Sequence, residues 1–410
     1  MKKFLFICAS IIGFSISNAD QSITVVGGNN VSAPPIAIVN FSNDTPSVNN
    51  VANIINNDLN ITGELKAIVV NNNNQIESRV NYILTGSING NTINYALRLN
   101  TESKSIVLTN TISNFNKNIR LGAHTISNQI YQKLTNTPGI FTSKIGYIAR
   151  DKNLYRLIIS DYDGYNSKEV VSTKNILASL AWSSDGSQIA YVAFDSKPTV
   201  YVQNIYKGTR YRVANFDGTN SSPTFTANGN QLIVTLSKDS NGSKLYLVNN
   251  SAFSNRSMAR PILNNFSSIS TEADIGKNNT LVFTSDHDGG PQIFMSDAMG
   301  MMRPKRLTFN LGNYNTTAKL SHDLSKITFI HRSYGTLRTY VENLATGSSY
   351  PVSMGTSLDI SPSFSPNDKL ILFSSNNAMY ITNVNGTTQT QLNNIRYNQI
   401  IDQRWSNTFK

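Results

Sequence analysis

The stretch that decides the fold is W-S-S-D-G-S-Q-I-A-Y at residues 182–191. The same plan returns as F-T-A-N-G-N-Q-L-I-V at residues 225–234, and it recurs at residues 320–329 and 364–373. Residues 275–283 are a copy that is one residue shorter. In every copy the end of an apolar strand is followed by a short polar turn and then by a second apolar strand, which is the pattern of a tight β-hairpin.

The repeats are evenly spaced along the chain. One apolar or aromatic position of the second strand recurs at intervals of 44, 43, 49, 46 and 44 residues, at Tyr147, Tyr191, Val234, Phe283, Phe329 and Phe373. Residues 141–410 divide into six units of 45 residues, and such a period with four strands is typical of a propeller blade. These residues are therefore predicted to form an all-β six-bladed β-propeller. Two β-sandwiches are the alternative, and six nearly equal intervals disfavour them.

The first unit lacks its opening strand, and the C-terminus carries a spare one. Tyr147 has no Trp-Ser-type strand nine residues earlier, where Pro138 stands instead. Residues 402–406 read D-Q-R-W-S and supply the missing half of the motif. We therefore predict that the last strand completes blade one, with Trp405 buried, and removes the exposed sheet edges at the seam.

The N-terminus has the three parts of a secretory signal peptide. Lys2 and Lys3 precede an apolar run at residues 4–16, and residues 17–19 read S-N-A, with small residues at the two positions that a signal peptidase reads. Residues 1–19 are therefore predicted to be cleaved, so that the mature chain starts at Asp20. A buried N-terminal strand or an uncleaved anchor is the alternative. Cleavage removes Cys8, the one cysteine of the chain, which excludes an internal disulfide framework.

Two segments are predicted between the signal peptide and the propeller. Residues 20–33 form a flexible arm, in which polar and apolar residues alternate at 22–25 and a G-G-N-N hinge follows at 27–30. Residues 34–140 form a small α/β domain. Its expected elements are a strand at 36–39, a helix across 48–59, short strands near 82–88, 93–99 and 106–112, and a helix at 121–134.

Motifs of known catalytic chemistry are missing from the sequence. There is no G-x-S-x-G elbow, no H-E-x-x-H pair, and no dinucleotide or P-loop glycine pattern. The four histidines, His124, His287, His322 and His331, are expected to be surface or hydrogen-bonded side chains. Residues 161–164 read D-Y-D-G, which resembles the start of a calcium loop without its terminal Glu. A hairpin turn is the better interpretation there, so no enzyme, cofactor or metal is predicted.

The chain is basic, with a formal charge of +11. The densest basic runs are K-G-T-R-Y-R at 207–212 and R-P-K-R at 303–306, and both fall in outer positions of blades. Export argues against nucleic acid as a partner. Solvated outer faces are one interpretation of these runs, and attraction to acidic envelope surfaces is the other.

The order of signal peptide, small α/β domain and six-bladed propeller resembles the TolB family, the periplasmic component of the Tol-Pal system. The similarity is carried by several short motifs across nearly the whole mature chain. They are L-G-A-H-T-I-S at 121–127, Y-Q-K-L-T at 131–135, P-G-I-F at 138–141, S-D-Y-D-G-Y-N at 160–166, A-W-S-S-D-G-S at 181–187, A-T-G at 345–347 and R-W-S at 404–406.

The resemblance implies a periplasmic adaptor, expected to be a monomer that associates with membranes only through its partners. The family binds the lipoprotein Pal at one mouth of the propeller, and the matching positions here are Thr219, Ser222 and Thr271, with Thr219 standing where the family pattern has His. The mature N-terminus is offered to TolA, which assigns that role to Asp20, Gln21, Ser22, Ile23, Thr24, Val25 and Val26. The implied task is support of outer-membrane invagination at division and of envelope integrity. A secreted propeller enzyme, or a module that binds peptidoglycan or carbohydrate, is the alternative.

Overall fold

The computed structural model describes residues 23–25, 34–45, 47, 49–114, 118–239, 242–254, 256–263 and 266–408. The predicted signal peptide and most of the predicted arm lie outside these residues. The described chain forms an N-terminal α/β domain followed by a six-bladed β-propeller, so the predicted fold class is confirmed.

The α/β domain is a five-stranded mixed sheet with two helices. Its strands, in spatial order, are Lys66–Val70, Pro35–Val39, Tyr82–Asn89, Thr92–Leu99 and Ile106–Ser113. The first three run parallel and the last three antiparallel. The sequence prediction missed the edge strand Lys66–Val70, whose five residues show no regular alternation of burial. A short 3-10 turn, Asn73–Gln75, follows that strand.

Helix α1 spans Val51–Ile61 and helix α2 spans Ile119–Thr135. The side chain of Asn50 accepts a hydrogen bond from the backbone N–H of Asn53 at 2.8 Å and so caps the start of α1. Helix α2 ends at Asn136, whose left-handed backbone (φ 57°) is the conformation that commonly terminates a helix. Neither helix of the described chain is long and apolar enough to cross a membrane.

Each blade of the propeller is an antiparallel sheet of four strands, of which the first lines the central channel. The strand bounds are Gln399–Trp405, Lys144–Asp151, Leu154–Asp161 and Lys168–Thr173 in blade one; Leu177–Trp182, Gln188–Phe194, Pro198–Asn204 and Arg210–Ala214 in blade two; Asn220–Phe225, Gln231–Leu236, Lys244–Asn249 and Ala259–Pro261 in blade three; Ser270–Ile275, Thr280–Ser285, Gln292–Asp297 and Lys305–Arg306 in blade four; Asn315–Leu320, Lys326–Ser333, Thr336–Asn343 and Ser349–Pro351 in blade five; Asp359–Phe364, Leu370–Ser375, Ala378–Asn383 and Thr388–Gln391 in blade six.

The C-terminal strand closes the ring as the sequence predicts. Gln399–Trp405 pairs antiparallel with Lys144–Asp151, with Trp405 opposite Ile145. The indole of Trp405 is 2% exposed, and its Nε1 donates to Ser143 Oγ at 2.7 Å. The first and last parts of the propeller are therefore joined within one sheet, and neither leaves an unpaired edge at the seam.

Part of the N-terminal arm has a defined backbone position. Ile23–Val25 pairs antiparallel with Thr388–Gln391, the outer strand of blade six, with Ile23 opposite Thr390 and Val25 opposite Thr388. The sheet of blade six therefore has five strands. This docking covers the outermost edge of the blade with main-chain hydrogen bonds, the arrangement that an exposed edge strand favours.

Replacement of Trp405 by alanine should destabilise the propeller strongly. The change empties a buried site in the closing strand and removes the hydrogen bond that the indole donates to Ser143 Oγ. We expect the free energy of unfolding, measured by urea denaturation, to fall by about 3–5 kcal/mol. The matched control is Tyr334→Ala, at a fully exposed side chain, which should change it by less than about 0.5 kcal/mol. Equal stabilities for the two variants would contradict closure through this strand.

Candidate functional site

The propeller channel has two distinct ends. The end where the inner strands begin is called here the entrance mouth, and it opens from a cavity of about 340 Å³. The end where the inner strands finish is the exit mouth, with a cavity of about 370 Å³. Lys319 and Arg404 border both cavities and so lie at the waist between them.

A ring of five residues in the left-handed conformation lines the entrance mouth. Each is the third residue of its inner strand, at a β-bulge where the pairing register shifts. They are Ser179, Ser222, Glu272, Thr317 and Ser361, with φ between 47° and 58°. In blade one a register shift occurs at the corresponding position, between Ile400 and Asp402. A non-glycine residue costs about 1–2 kcal/mol in this conformation, and bulges typically re-aim side chains beside functional sites.

The three predicted Pal-contacting residues lie on adjacent blades at this end of the channel, but only one lines the cavity. Ser222 belongs to the ring. Thr271 immediately precedes the ring residue Glu272 and pairs with Thr284, outside the lining of the cavity. Thr219 is exposed before the inner strand of blade three, where its backbone N–H donates to Ser237 Oγ at 2.8 Å. The three residues therefore share one side of the mouth at different depths.

Glu272 is a mouth residue that the sequence prediction missed. Its Oε2 accepts hydrogen bonds from Thr284 Oγ1 at 3.0 Å, from the Thr317 N–H at 3.0 Å and from Thr317 Oγ1 at 3.2 Å. One carboxylate thus joins the ring residues of blades four and five. The available signal was positional, because Glu272 occupies the same place in its strand as Ser222.

The waist of the channel carries opposite charges from different blades. Asp274 Oδ1 lies 3.4 Å from Lys319 Nζ, and Asp402 Oδ1 lies 3.2 Å from Arg404 NH1. Burial lowers the pKa of Lys319, an effect that Asp274 opposes. The carboxylates also accept backbone N–H groups, Asp402 from Leu180 at 2.6 Å and Asp274 from Leu320 at 2.9 Å. Each of these charged side chains is therefore paired within the protein. The bonds from Asp402 to Leu180 and from Asp274 to Leu320 connect neighbouring inner strands.

The exit mouth is surrounded by aromatic side chains at the ends of inner strands. Trp182, Phe225, Phe364 and Trp405 border its cavity, and all four are buried. A site for carbohydrate is expected to present exposed aromatic faces, and these rings pack between blades instead. The exit mouth therefore does not supply the aromatic platform that a carbohydrate-binding module needs.

A buried ionic network joins the α/β domain to blade one. Asp58 of α1 accepts hydrogen bonds through Oδ1 from Tyr162 Oη at 2.6 Å and through Oδ2 from His124 Nδ1 at 2.8 Å. His124 Nε2 lies 3.5 Å from Asp163 Oδ2, and Arg120 of α2 forms an ion pair with Asp163. The sequence predicts that His124 is either a surface or a hydrogen-bonded side chain. It is 1% exposed and hydrogen-bonded to Asp58. Residues 161–164 form a turn, as expected, and that turn supplies the propeller side of the network.

Asp58, His124 and Asp163 bring one ligand atom each within 4.8 Å of one another, which is a spacing that could hold a metal ion. The carboxylate oxygens also accept hydrogen bonds from Tyr162 and Arg120, so the group joins the two domains through hydrogen bonds and ion pairs. Burial alone lowers the pKa of His124, but the carboxylates of Asp58 and Asp163 outweigh it and raise that pKa above its ordinary value. The imidazolium form is the one that complements two flanking carboxylates.

These features define the class of protein: a closed six-bladed propeller with a polar channel mouth, joined to an α/β domain through a buried network. The family model described as the TolB beta propeller domain matches residues 131–409, and that described as the TolB amino-terminal domain matches residues 21–92.

Individual relatives agree with these matches. The Tol-Pal system protein TolB of Francisella tularensis subsp. mediasiatica is 32% identical over 310 residues, 72% of this chain and 70% of that protein. The Tol-Pal system protein TolB of Hahella chejuensis is 31% identical over 247 residues, 54% of this chain and 57% of that protein. The crystal structure of TolB from Acinetobacter baumannii is 29% identical with a TM-score of 0.81, over 94% of this chain and 100% of that one. The chain belongs to the TolB family of the Tol-Pal system, which is a family of non-enzymatic envelope proteins.

Stability should depend on pH through His124. Because its pKa is raised in the folded protein, the stabilisation is complete below the unfolded pKa of about 6.5 and is lost as pH rises through the folded pKa. We expect the free energy of unfolding to decline as pH rises above about 6.5, and His124→Gln to lack this decline. Urea denaturation at a series of pH values measures both. If the free energy of unfolding of the variant follows the same pH dependence as that of the native chain, protonation of His124 is not the cause of the decline.

Proposed function

We propose that this chain is a periplasmic adaptor that binds the lipoprotein Pal through the entrance mouth and TolA through its mature N-terminus. In that role it supports outer-membrane invagination at division and the integrity of the envelope. Membership of the TolB family supports the proposal. The observation that carries it is the ring of strained residues around the entrance mouth, because strain of this kind is retained where the surrounding structure over-determines it and clusters at functional sites.

The ring suits the binding of a protruding protein loop. Four of its five members are Ser or Thr, whose small side chains leave the cavity of about 340 Å³ open. Their hydroxyl groups can donate and accept hydrogen bonds, which lets them pair with an incoming backbone. The bulges also interrupt the regular pairing of the inner strands. Residues at a bulge can therefore point into the channel. Ser222 contacts the incoming loop in this proposal, with Thr271 and Thr219 at its margin.

The arm suits addition to an open sheet edge of TolA. Residues 23–25 adopt a strand and pair by main-chain hydrogen bonds with blade six, and this is the kind of pairing that β-augmentation of a partner uses. Three of the described residues take part in this pairing, which is a small contact compared with the sheets of the propeller. Asp20, Gln21, Ser22 and Val26 lie outside the described residues, and their part in TolA binding rests on the family resemblance. Residues 1–19 act as the export signal in this proposal.

An arginine in the ring should block Pal. The Ser222→Arg variant fills the mouth of the channel with a long charged side chain, and we expect calorimetric titration to show at least about tenfold weaker Pal binding, or roughly 1.4 kcal/mol. Thr271→Arg, at the margin of the cavity, should weaken Pal binding in the same direction. The matched control is Asn230→Arg, which places the same side chain at the exposed exit end of the same blade. Equal Pal affinities for Ser222→Arg and Asn230→Arg would place the Pal site elsewhere.

Removal of residues 20–30 should abolish TolA binding without unfolding the protein. The deletion takes away the whole strand-competent segment, of which the described part makes a three-residue pairing with blade six. We expect surface plasmon resonance with TolA to show no binding, while the melting temperature stays nearly unchanged and Pal still binds. A deletion variant that keeps its full affinity for TolA would refute the role given to the arm.

A further inference from the structure

Four exposed methionines cluster on the exit side of blades three and four. Met258 is 85% exposed and Met301 is 81% exposed, and Met299 and Met302 are exposed as well. Five exposed basic residues lie in the same loops, in the adjoining outer strands and in the exit turn of blade four: Arg256, Arg260, Lys277, Arg303 and Lys305. These nine residues are called here the exit-face patch. Large side chains exposed in one place in this way mark an interaction surface.

Hydrogen bonds fix the loops of the patch on one face. The Asn250 N–H donates to the Asn230 carbonyl at 2.8 Å, which ties the outer loop of blade three to its exit turn. The Ala298 N–H donates to the Asn279 carbonyl at 2.9 Å and does the same in blade four. The turn of blade four also approaches the neighbouring blade, because a Cβ placed on Gly300 would lie 2.0 Å from the carbonyl oxygen of Ile262, the residue that follows the outer strand of blade three. The patch therefore spans two neighbouring blades that are in contact.

The methionine loop of blade four is held with its side chains outward. The carboxylate of Asp297 accepts the backbone N–H of Met299 at 2.8 Å and of Met301 at 3.3 Å, and that of Met302 as well. Ser296 Oγ donates to the Met302 carbonyl at 2.7 Å. The backbone groups are thus satisfied inside the loop, and the flexible apolar side chains remain available at its tip.

The charge of the patch is one-sided. Residues 249–261 contain no acidic side chain, and residues 297–306 contain only Asp297, which is engaged by the loop backbone. Within the described chain, none of the five basic side chains takes part in an ion pair. The patch therefore combines five basic side chains without an ion pair and four exposed methionine side chains. This combination complements a surface whose outer layer is anionic and whose inner layer is apolar.

We propose that the exit-face patch binds an anionic phospholipid surface. The apolar tips project from the face and line neither channel cavity, so they suit insertion between lipid headgroups better than the holding of a peptide in a groove. The basic side chains then lie at the depth of the phosphates, where each Lys or Arg adds to the attraction. This contact is direct, whereas the family resemblance implies membrane association through partners alone.

The proposed contact leaves the other sites of the protein open. The α/β domain lies on the exit side of blades six and one, where Asn367 Nδ2 donates to the Pro138 carbonyl at 2.9 Å and Tyr162 bonds to Asp58. Blades three and four lie away from that contact on the ring. The entrance mouth is at the opposite end of the channel, so a lipid-bound molecule keeps it accessible.

Vesicle flotation of the mature chain from Asp20 tests the proposal. The probes are phosphatidylcholine vesicles with and without about 30% phosphatidylglycerol, at low salt and at about 0.5 M salt. The test variant is Met301→Ser with Arg303→Gln. Its matched control is Ile176→Ser with Lys174→Gln, which removes one exposed apolar side chain and one cation from a loop on the entrance side.

We expect the native chain to float with anionic vesicles at low salt and to lose binding at high salt. Loss of one cation alone should weaken partitioning about fivefold, so the test variant should fall at least about tenfold while the control stays within about twofold of the native chain. Failure to float with anionic vesicles, or equal losses in the two variants, would overturn the proposal. If the patch variant instead loses binding to poly-glutamate while no chain binds vesicles, the surface belongs to an acidic protein segment and not to a bilayer.

Discussion

Closure of the propeller by its last strand is the constraint on which the rest of the structure depends. The two ends of the propeller chain have to be joined to close a ring of six sheets, and the strand Gln399–Trp405 joins them by pairing with Lys144–Asp151 inside blade one. Trp405 then stacks on Tyr162 with ring centroids 6.2 Å apart. Tyr162 bonds to Asp58 of the α/β domain, and Asp58 bonds to His124. The seam of the propeller and the junction of the two domains are therefore one continuous contact.

The same closure sets the shape of the channel. Because the six inner strands are held at fixed angles around one axis, their bulges fall at one level and bring Ser179, Ser222, Glu272, Thr317 and Ser361 into a ring. Below this ring, Asp274 ties blade four to Lys319 and Leu320 of blade five, and Asp402 ties blade one to the Leu180 N–H of blade two. At the far end, buried aromatic side chains pack between blades. The ring of small polar residues thus stands at the entrance mouth, where a partner can reach it.

Much of this architecture was predictable from the sequence because the blades repeat. The recurring turn gave the number of blades, and the spare motif at 402–406 gave the closure. The edge strand Lys66–Val70 was not predictable in the same way, since a short parallel edge strand shows no clear alternation. The only sequence signal for Glu272 was its position, equivalent to that of Ser222 in the preceding blade, because the neighbouring residues do not indicate a bulge in the left-handed conformation at a non-glycine residue. The buried position of His124 was not predictable because it depends on contacts with Asp58, 66 residues away in sequence, and with Asp163 in the turn of blade one.

Hydrogen exchange of the mature chain with and without Pal, followed by mass spectrometry, tests the central claim most directly. The amides at the start of the inner strands, at residues 177–180, 220–223, 270–273, 315–318 and 359–361, surround the entrance mouth. The account predicts that Pal slows exchange at these segments and leaves the exit turns at 183–187 and 226–230 unchanged. Protection confined to the exit turns or to the α/β domain, with no change at the inner-strand starts, would contradict it.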